Sequence, residues 1–345
     1  METLTPTSIG EVSPIPIRAT EMRKKNIYPD VIAKRSDLMG MIDQFHSHPF
    51  DNDTTRYSTR AFVTDQSLQS LSVVDRKFAE PYIEGIIPLA GCGSLPLEDC
   101  ALLYLGKNAP ERTPSADIVD REIAKAKPIF NESDDGSVRP LPGGFELRAL
   151  TSEDRQNAGI QSQYAELYQA FGYGPEDVAK MLLNQNNVMV ALFDEDTIVS
   201  TGMVEHAHLH LARNGQPFMF SVGEVTEGFT REEANGQVYR GKGLYTHVVT
   251  ELMREEAKNG VNLIYAESNA DLSIPYDLPP VLVSAKKQGR ESALAAFDHY
   301  GFRPQLLRRH VHIVNDKNDA RPPEIQNDLL VTYMVRNRLR ERYGK

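Results

Sequence analysis

Residues 239–245, Tyr-Arg-Gly-Lys-Gly-Leu-Tyr, place two cations and two glycines directly before a stretch with the apolar spacing of a helix. Glycine lets a backbone come close to a bulky anion. The first turn of a helix offers N–H groups that have no partner inside the helix, and the aligned peptide dipoles add partial positive charge there. Arg240 and Lys242 bring side-chain charge to the same place. The chemistry of this combination is the gripping of a phosphate or pyrophosphate. Two familiar glycine loops do not fit: the mononucleotide loop G-x-x-x-x-G-K-[ST] is absent, and a dinucleotide fingerprint needs a third glycine and an early strand–helix–strand unit.

The elements that must position this loop are legible around it. Residues 145–150 read as a strand, 158–171 and 174–183 as helices, and 188–193, 198–211 and 218–230 as a meander of strands. Asn214-Gly215 sits between the last two as a hairpin turn. After the glycine loop come a long amphipathic helix at 244–258 and a strand at 263–267. A helix at 291–300 and strands at 306–314 and 329–335 complete the order. His206, His208 and His210 alternate along one strand and share a face. Same-face neighbours stand ~7 Å apart, too far for three imidazoles to converge easily on one ion, so a polar outer face is expected.

Before this lies a stretch rich in acidic residues, Pro and Gly at 131–144, read as a linker. The chain therefore divides into a flexible start at 1–20, an α/β domain at 21–130, the linker, and a second α/β domain at 145–345. In the first domain strands are expected at 60–64, 83–89 and 100–105, with helices at 30–44, 67–78 and 116–126. Removal of residues 1–143 is expected to leave ligand binding by the second domain intact. Cys92 and Cys100 read as small core residues, too few for a disulfide framework. The basic end at 336–345 reads as a solvated helix end.

A formal charge of −10 opposes nonspecific binding to nucleic acid, which requires neutralised phosphates, and favours cationic or neutral substrates. No apolar run approaches the ~20 residues of a membrane span, and no basic-then-apolar leader is visible. A cytoplasmic location is expected.

The loop resembles motif A of the GNAT superfamily of acyl-CoA N-acyltransferases, [QR]-x-x-G-x-[GA], with Arg240 first and Gly243 as the central glycine. The resemblance covers about 145–335, where the element order is similar to the family's, and extends to Phe297-Asp-His-Tyr-Gly-Phe302. It implies a GNAT fold with a mixed, splayed sheet and a cleft for acetyl-CoA or another acyl-CoA where two strands part. The pyrophosphate would rest on the amides of Lys242, Gly243, Leu244 and Tyr245, beside Arg240 and Gly241, with pantetheine along the strand ending at Thr230. Residues 223–230, Gly-Glu-Val-Thr-Glu-Gly-Phe-Thr, look like the corresponding stretch of β-lysine N-acetyltransferases, although a longer loop follows here. An acceptor amine would attack the thioester directly, which needs a base. The resemblance points to Glu224, with Thr226 on its face to orient water or substrate; Glu227 and Tyr300 are candidates for substrate contact. Tyr245 stands where the family has Gly or Ala. Phe297 stands at the place of the family's general-acid tyrosine, and Tyr300 does not inherit that role by position.

The implied function is acylation of a small amine such as an amino acid or polyamine, with no metal. The amino-terminal domain either covers the acceptor cleft or mediates homodimerisation. A non-catalytic acyl-CoA-binding regulatory module is the alternative. A third reading starts from His46-Ser-His48-Pro, which resembles the core of JAMM zinc peptidases. Ser58 is in range of that pattern, but Ala61 stands at the ligand aspartate's place and Asp65 is off it, so a loop with chance histidines is preferred.

Overall fold

The computed structural model describes residues 15–18, 30–50, 54–108, 140–169, 173–234, 236–269, 300–313 and 326–344. The helix expected at 116–126, most of the linker, and Phe297 with its expected helix lie outside them.

The amino-terminal part is a four-stranded antiparallel sheet of β1 (Ile15–Arg18), β2 (Thr54–Thr64), β3 (Ile83–Pro88) and β4 (Cys100–Asn108), in the order β1-β2-β4-β3. The stretch read as a flexible start thus includes a strand, β1, paired with β2. Helices α1 (Arg35–Ser47), α2 (Asp65–Gln69) and α3 (Val73–Ala79) accompany the sheet. Leu38, Met41, Ile42 and Phe45 of α1 recur at helical spacing and pack on Ala61, Val63, Leu103 and Leu105 of the sheet. One helix was expected over 67–78; two form. Ser72 and Asp75 make a capping box, each side chain accepting from the other's backbone N–H at 3.2 and 2.7 Å, and this starts a new helix.

The carboxy-terminal part is a seven-stranded mixed sheet. Its strands are β5 (Phe145–Ala149), β6 (Asn187–Asp194), β7 (Thr197–Arg213), β8 (Gln216–Thr230), β11 (Leu263–Asn269), β12 (Arg303–Ile313) and β13 (Gln326–Val335). They lie in the order β12-β13-β11-β8-β7-β6-β5. Asn214 and Gly215 both take positive φ in the β7–β8 turn, as the Asn-Gly pair predicts. A small hairpin of β9 (Glu233–Ala234) and β10 (Gln237–Val238) fills the loop after β8. All neighbours in the large sheet are antiparallel except β8 and β11, which run parallel.

Helices α7 (Leu244–Asn259) and α8 (Arg336–Tyr343) cover one face through Val204, Val225, Ile264, Val248, Leu252 and Leu339. The basic end read as a solvated helix is thus partly built into the core. On the other face, α5 (Ala158–Gln169) and α6 (Pro175–Leu183) cover β6 and one end of β7, preceded by the short α4 (Ser152–Gln156). The rest of that face is covered by the amino-terminal sheet. Phe62, Leu102 and Tyr104 on one side and Leu211, Phe220, Val222, Leu263 and Tyr265 on the other form one cluster, which also buries Cys92 and Cys100. Asn262 ties the junction: its side chain accepts from Ser221 N–H at 2.9 Å and donates to Cys92 O at 2.9 Å. Removing residues 1–143 would therefore uncover apolar side chains of the large sheet. No helix of the described residues is long and apolar enough to cross a membrane.

The alternating histidines do not form a polar outer face throughout. Their face is the one α7 covers, so His206 is nearly buried and meets Glu256 of α7 at 2.6 Å; His208 and His210, beyond the helix, are exposed. Burial raises the Glu256 pKa, with the His206 bond opposing.

Two outcomes follow from this packing. Phe62 and Phe220 are fully buried with ring centroids 5.4 Å apart, so Phe62→Ala should cost about 3–5 kcal/mol. Urea unfolding followed by probes in both sheets should show one shared transition moving to lower denaturant; two separate transitions would mean the shared core does not couple them. For Glu256, a carboxyl with a raised folded pKa costs stability as pH climbs from the ordinary carboxylate range through the raised value. Glu256→Gln removes that titration, so calorimetry should give a flatter Tm–pH curve and a higher Tm at about pH 8; a lower Tm there would mean the hydrogen bond to His206 outweighs the carboxylate's desolvation.

Candidate active site

The glycine loop sits where the sequence places it, at the head of α7. Arg240, Gly241, Lys242 and Gly243 are exposed, and Leu244 is buried. Gly241 and Gly243 take φ of 81° and 72°, and a Cβ at either would meet open space. Glycine is needed for that conformation, not to avoid a neighbour. Gly243 is the N-cap in the left-handed region and supplies no side-chain cap, and the first turn carries no acidic residue. By contrast, α3 and α4 close their first turns with capping boxes at Ser72/Asp75 and Thr151/Asp154. The head of α7 thus presents amides and positive dipole without a built-in acidic counterpart. The loop is anchored by Tyr239, which is buried and donates its hydroxyl to Asp194 Oδ2 at 2.5 Å, while Lys242 Nζ lies 5.6 Å from the Tyr239 ring centre.

Tyr245 does not disturb this loop, despite its unusual size for the position. Its ring turns inward onto β8: a Cβ at Gly228 would overlap the Tyr245 hydroxyl, and one at Gly202 would lie 3.5 Å from the ring. The tyrosine is accommodated because glycines occupy the strands beneath it.

Next to the loop the sheet opens. β8 and β11 pair only from Val222↔Leu263 to Val225↔Ala266. Beyond that β8 runs on to Thr230 and β11 to Asn269 without pairing to each other. The register between β7 and β8 also shifts opposite Gly202, where Glu227 and Gly228 fall between the pairs Met203↔Thr226 and Thr201↔Phe229. The backbone of β8 past Val225 therefore presents N–H and C=O groups along the fork that β11 does not take. Thr230, at the strand's end, shares a hydroxyl hydrogen bond with Ser200 at 2.8 Å. Arg231 pins the same end to α5 through Glu166 at 2.7 Å.

Glu224 lies at the root of this fork, one residue before the last pair, on the face away from α7. It is 3% exposed, and its Oε2 accepts from the Tyr265 hydroxyl at 3.0 Å. Thr226 is half-buried one step outward. Glu227 is placed only by its backbone, within the shifted register. Tyr300 is brought elsewhere: it is buried in the core beneath α7, where burial raises its pKa and a hydrogen bond with Thr246 opposes the rise. The loop thus heads α7, Glu224, Thr226 and Thr230 follow one another along β8 at the fork, and Tyr300 lies in the core beneath α7.

Sequence reasoning missed Tyr265 and Arg60, which lie on the side of Glu224. Arg60 of β2 donates to the Tyr265 hydroxyl at 3.4 Å and to Glu267 at 3.1 Å. No local signal in the sequence marks either residue as a neighbour of Glu224. The histidines of the peptidase-like motif are engaged otherwise. His46 ends α1, rather than lying in a loop, and its Nδ1 meets the Tyr82 hydroxyl; His48 packs edge-on against Tyr57. Among the described residues no group of three or more His, Cys, Asp or Glu is arranged to hold a metal ion.

No protein-family model matches the chain, and no curated protein matches it. Several solved structures are similar to part of it. An N-acetyltransferase from Staphylococcus aureus Mu50 is 9% identical at a TM-score of 0.35, over 55% of this chain and 97% of that one. The aminoglycoside 6'-N-acetyltransferase from Enterococcus faecium is 15% identical at 0.35, over 55% and 96%. The ribosomal-protein-S5-alanine acetyltransferase from Vibrio fischeri is 16% identical at 0.36, over 58% and 98%.

Proposed function

We propose that the chain is an acyl-CoA-dependent N-acyltransferase of the GNAT superfamily, moving an acyl group, by default acetyl, to the amine of a small molecule. The observation that carries this reading is a juxtaposition. An exposed, cation-flanked helix head without an acidic first turn stands beside a fork between two strands, and a carboxyl side chain lies at the fork's root. The residues fit the ligand. Amides from Lys242 to Tyr245 and the side chains of Arg240 and Lys242 would hold a pyrophosphate. The edge of β8 from Thr226 to Thr230, which β11 leaves, would hold the amide-bearing pantetheine arm as a strand holds a neighbour. A thioester carried along that edge toward Val225 comes to Glu224.

At that point the acceptor must arrive as a free amine, since an ammonium has no lone pair. Glu224 takes the proton, directly or through a water held by Thr226. The amine nitrogen then bonds to the carbonyl carbon, and the C–S bond breaks as the thiolate leaves. A thiolate needs little protonation assistance, because thiols are already partly ionised near neutral pH. Backbone N–H groups of the fork would steady the oxyanion. The net charge of −10 supports a cationic acceptor such as an amino acid or polyamine. A second reading, an acyl-CoA-binding regulatory module, draws on the near-complete burial of Glu224.

A thiol-release assay across acyl-CoAs and an amine panel tests both readings. Arg240→Ala should raise KM for the acyl-CoA about tenfold with little change in kcat. Glu224→Gln should lower kcat by about 10²-fold or more and leave calorimetric acyl-CoA binding intact. A normal rate in Glu224→Gln removes the base; binding without turnover by the wild type favours the regulatory module; no uptake of coenzyme A removes the reading altogether.

A further inference from the structure

The amino-terminal sheet sends one cation into the large sheet, and it reaches Glu224 through a single intermediary. Arg60 of β2 is 5% exposed. Its guanidinium lies 4.5 Å from the centre of the Tyr104 ring of β4, donates through Nη2 to Glu267 Oε1 at 3.1 Å, and donates through Nη1 to the Tyr265 hydroxyl at 3.4 Å. Tyr265, having accepted there, donates to Glu224 Oε2 at 3.0 Å. Tyr265 and Glu267 are on one face of β11, and Tyr265 is the register partner of Glu224 across the parallel pair.

We propose that Arg60 and Tyr265 are positioning residues for Glu224, so that the amino-terminal sheet completes the catalytic site of the carboxy-terminal one. The inference rests on the acyltransferase reading above. A general base works only when its carboxyl is held in one orientation and kept ionised, and the usual device is a third group that orients it. Tyr265 does the first by fixing one oxygen of Glu224. It does the second by donating to the charged form. Arg60 sets the direction of that hydroxyl, because a phenol that accepts from a guanidinium turns its own proton toward the carboxylate.

Among the described residues, the titratable and charged groups on the side of Glu224 include its register partner Glu205 on β7, Tyr265 and Glu267 on β11, Arg60 on β2 and Tyr104 on β4. His206 and Glu256 lie across the sheet. Arg60 pairs directly with Glu267 and reaches Glu224 through the Tyr265 hydroxyl. The Tyr265 hydroxyl, backed by Arg60, donates to Glu224, and a donor of this kind favours the carboxylate form. A purely structural role for Arg60, pairing with Glu267, would need neither the tyrosine hydroxyl nor any link to the base.

Two variants separate these roles. Tyr265→Phe keeps the ring and removes only the donor, and Arg60→Lys keeps the charge but loses the fork that spans Tyr265 and Glu267. With acetyl-CoA and a panel of amino acids and polyamines, Tyr265→Phe should lower kcat about tenfold and leave KM for acetyl-CoA unchanged. It should also move the acid limb of the kcat profile to higher pH by about one unit, as the carboxylate loses its donor. Arg60→Lys should shift the limb in the same direction by less. Calorimetric binding of acetyl-CoA reports that each variant is folded. A folded Tyr265→Phe with the wild-type profile overturns the proposal; if that variant does not fold, an unshifted profile in Arg60→Lys overturns it. Absence of thiol release by the wild type, or a normal rate in Glu224→Gln, overturns the acyltransferase reading and this inference together.

Discussion

The parallel pairing of β8 with β11 lasts four residues and then stops, and the rest of the site depends on that stop. Both strands continue past Val225 and Ala266, so each carries backbone polar groups that the other does not satisfy. Two parallel strands in register would have closed the sheet and left no place for a ligand. The shift between β7 and β8 at Glu227 and Gly228 works to the same end, since an extra residue bends a strand and increases its local twist. The glycine loop then delivers the head of α7 beside the opening. A strand edge that β11 leaves past Val225 and a helix head without an acidic first turn stand near each other.

The docking of α7 is correspondingly tight and specific. Gly202 and Gly228 let the helix and its Tyr245 approach the sheet more closely than any side chain at those positions would allow. Glu256 is set near the other end of the helix against His206. Glu256 is fully buried, and burial dominates the carboxyl's behaviour there.

The amino-terminal sheet is part of this machinery in a physical sense, whatever its evolutionary origin. It covers the lower face of β8 and β11 with Phe62, Leu102 and Tyr104 and sends in Arg60. The buried charges make the junction costly to break from one side, because an uncompensated carboxylate in a low dielectric is far less stable than a paired one.

Much of the carboxy-terminal order was legible in the sequence, because each signal is local. The Asn-Gly turn fixes a hairpin through the φ values it permits, and the apolar spacing of 244–258 fixes a helix. The Arg240–Gly243 loop announces the conformation its glycines adopt. The same locality explains the misses. A capping box at Ser72 splits a helix that its apolar spacing alone would have run together, and β1 lies in a stretch whose composition suggests no structure. What only the tertiary structure decided is what stands opposite what. Tyr265 is forty-one residues from Glu224, and Arg60 is two hundred and five from Tyr265. Neither pairing has a local signal, since sequence periodicity reports which face a side chain takes and nothing about which strand or sheet will meet that face.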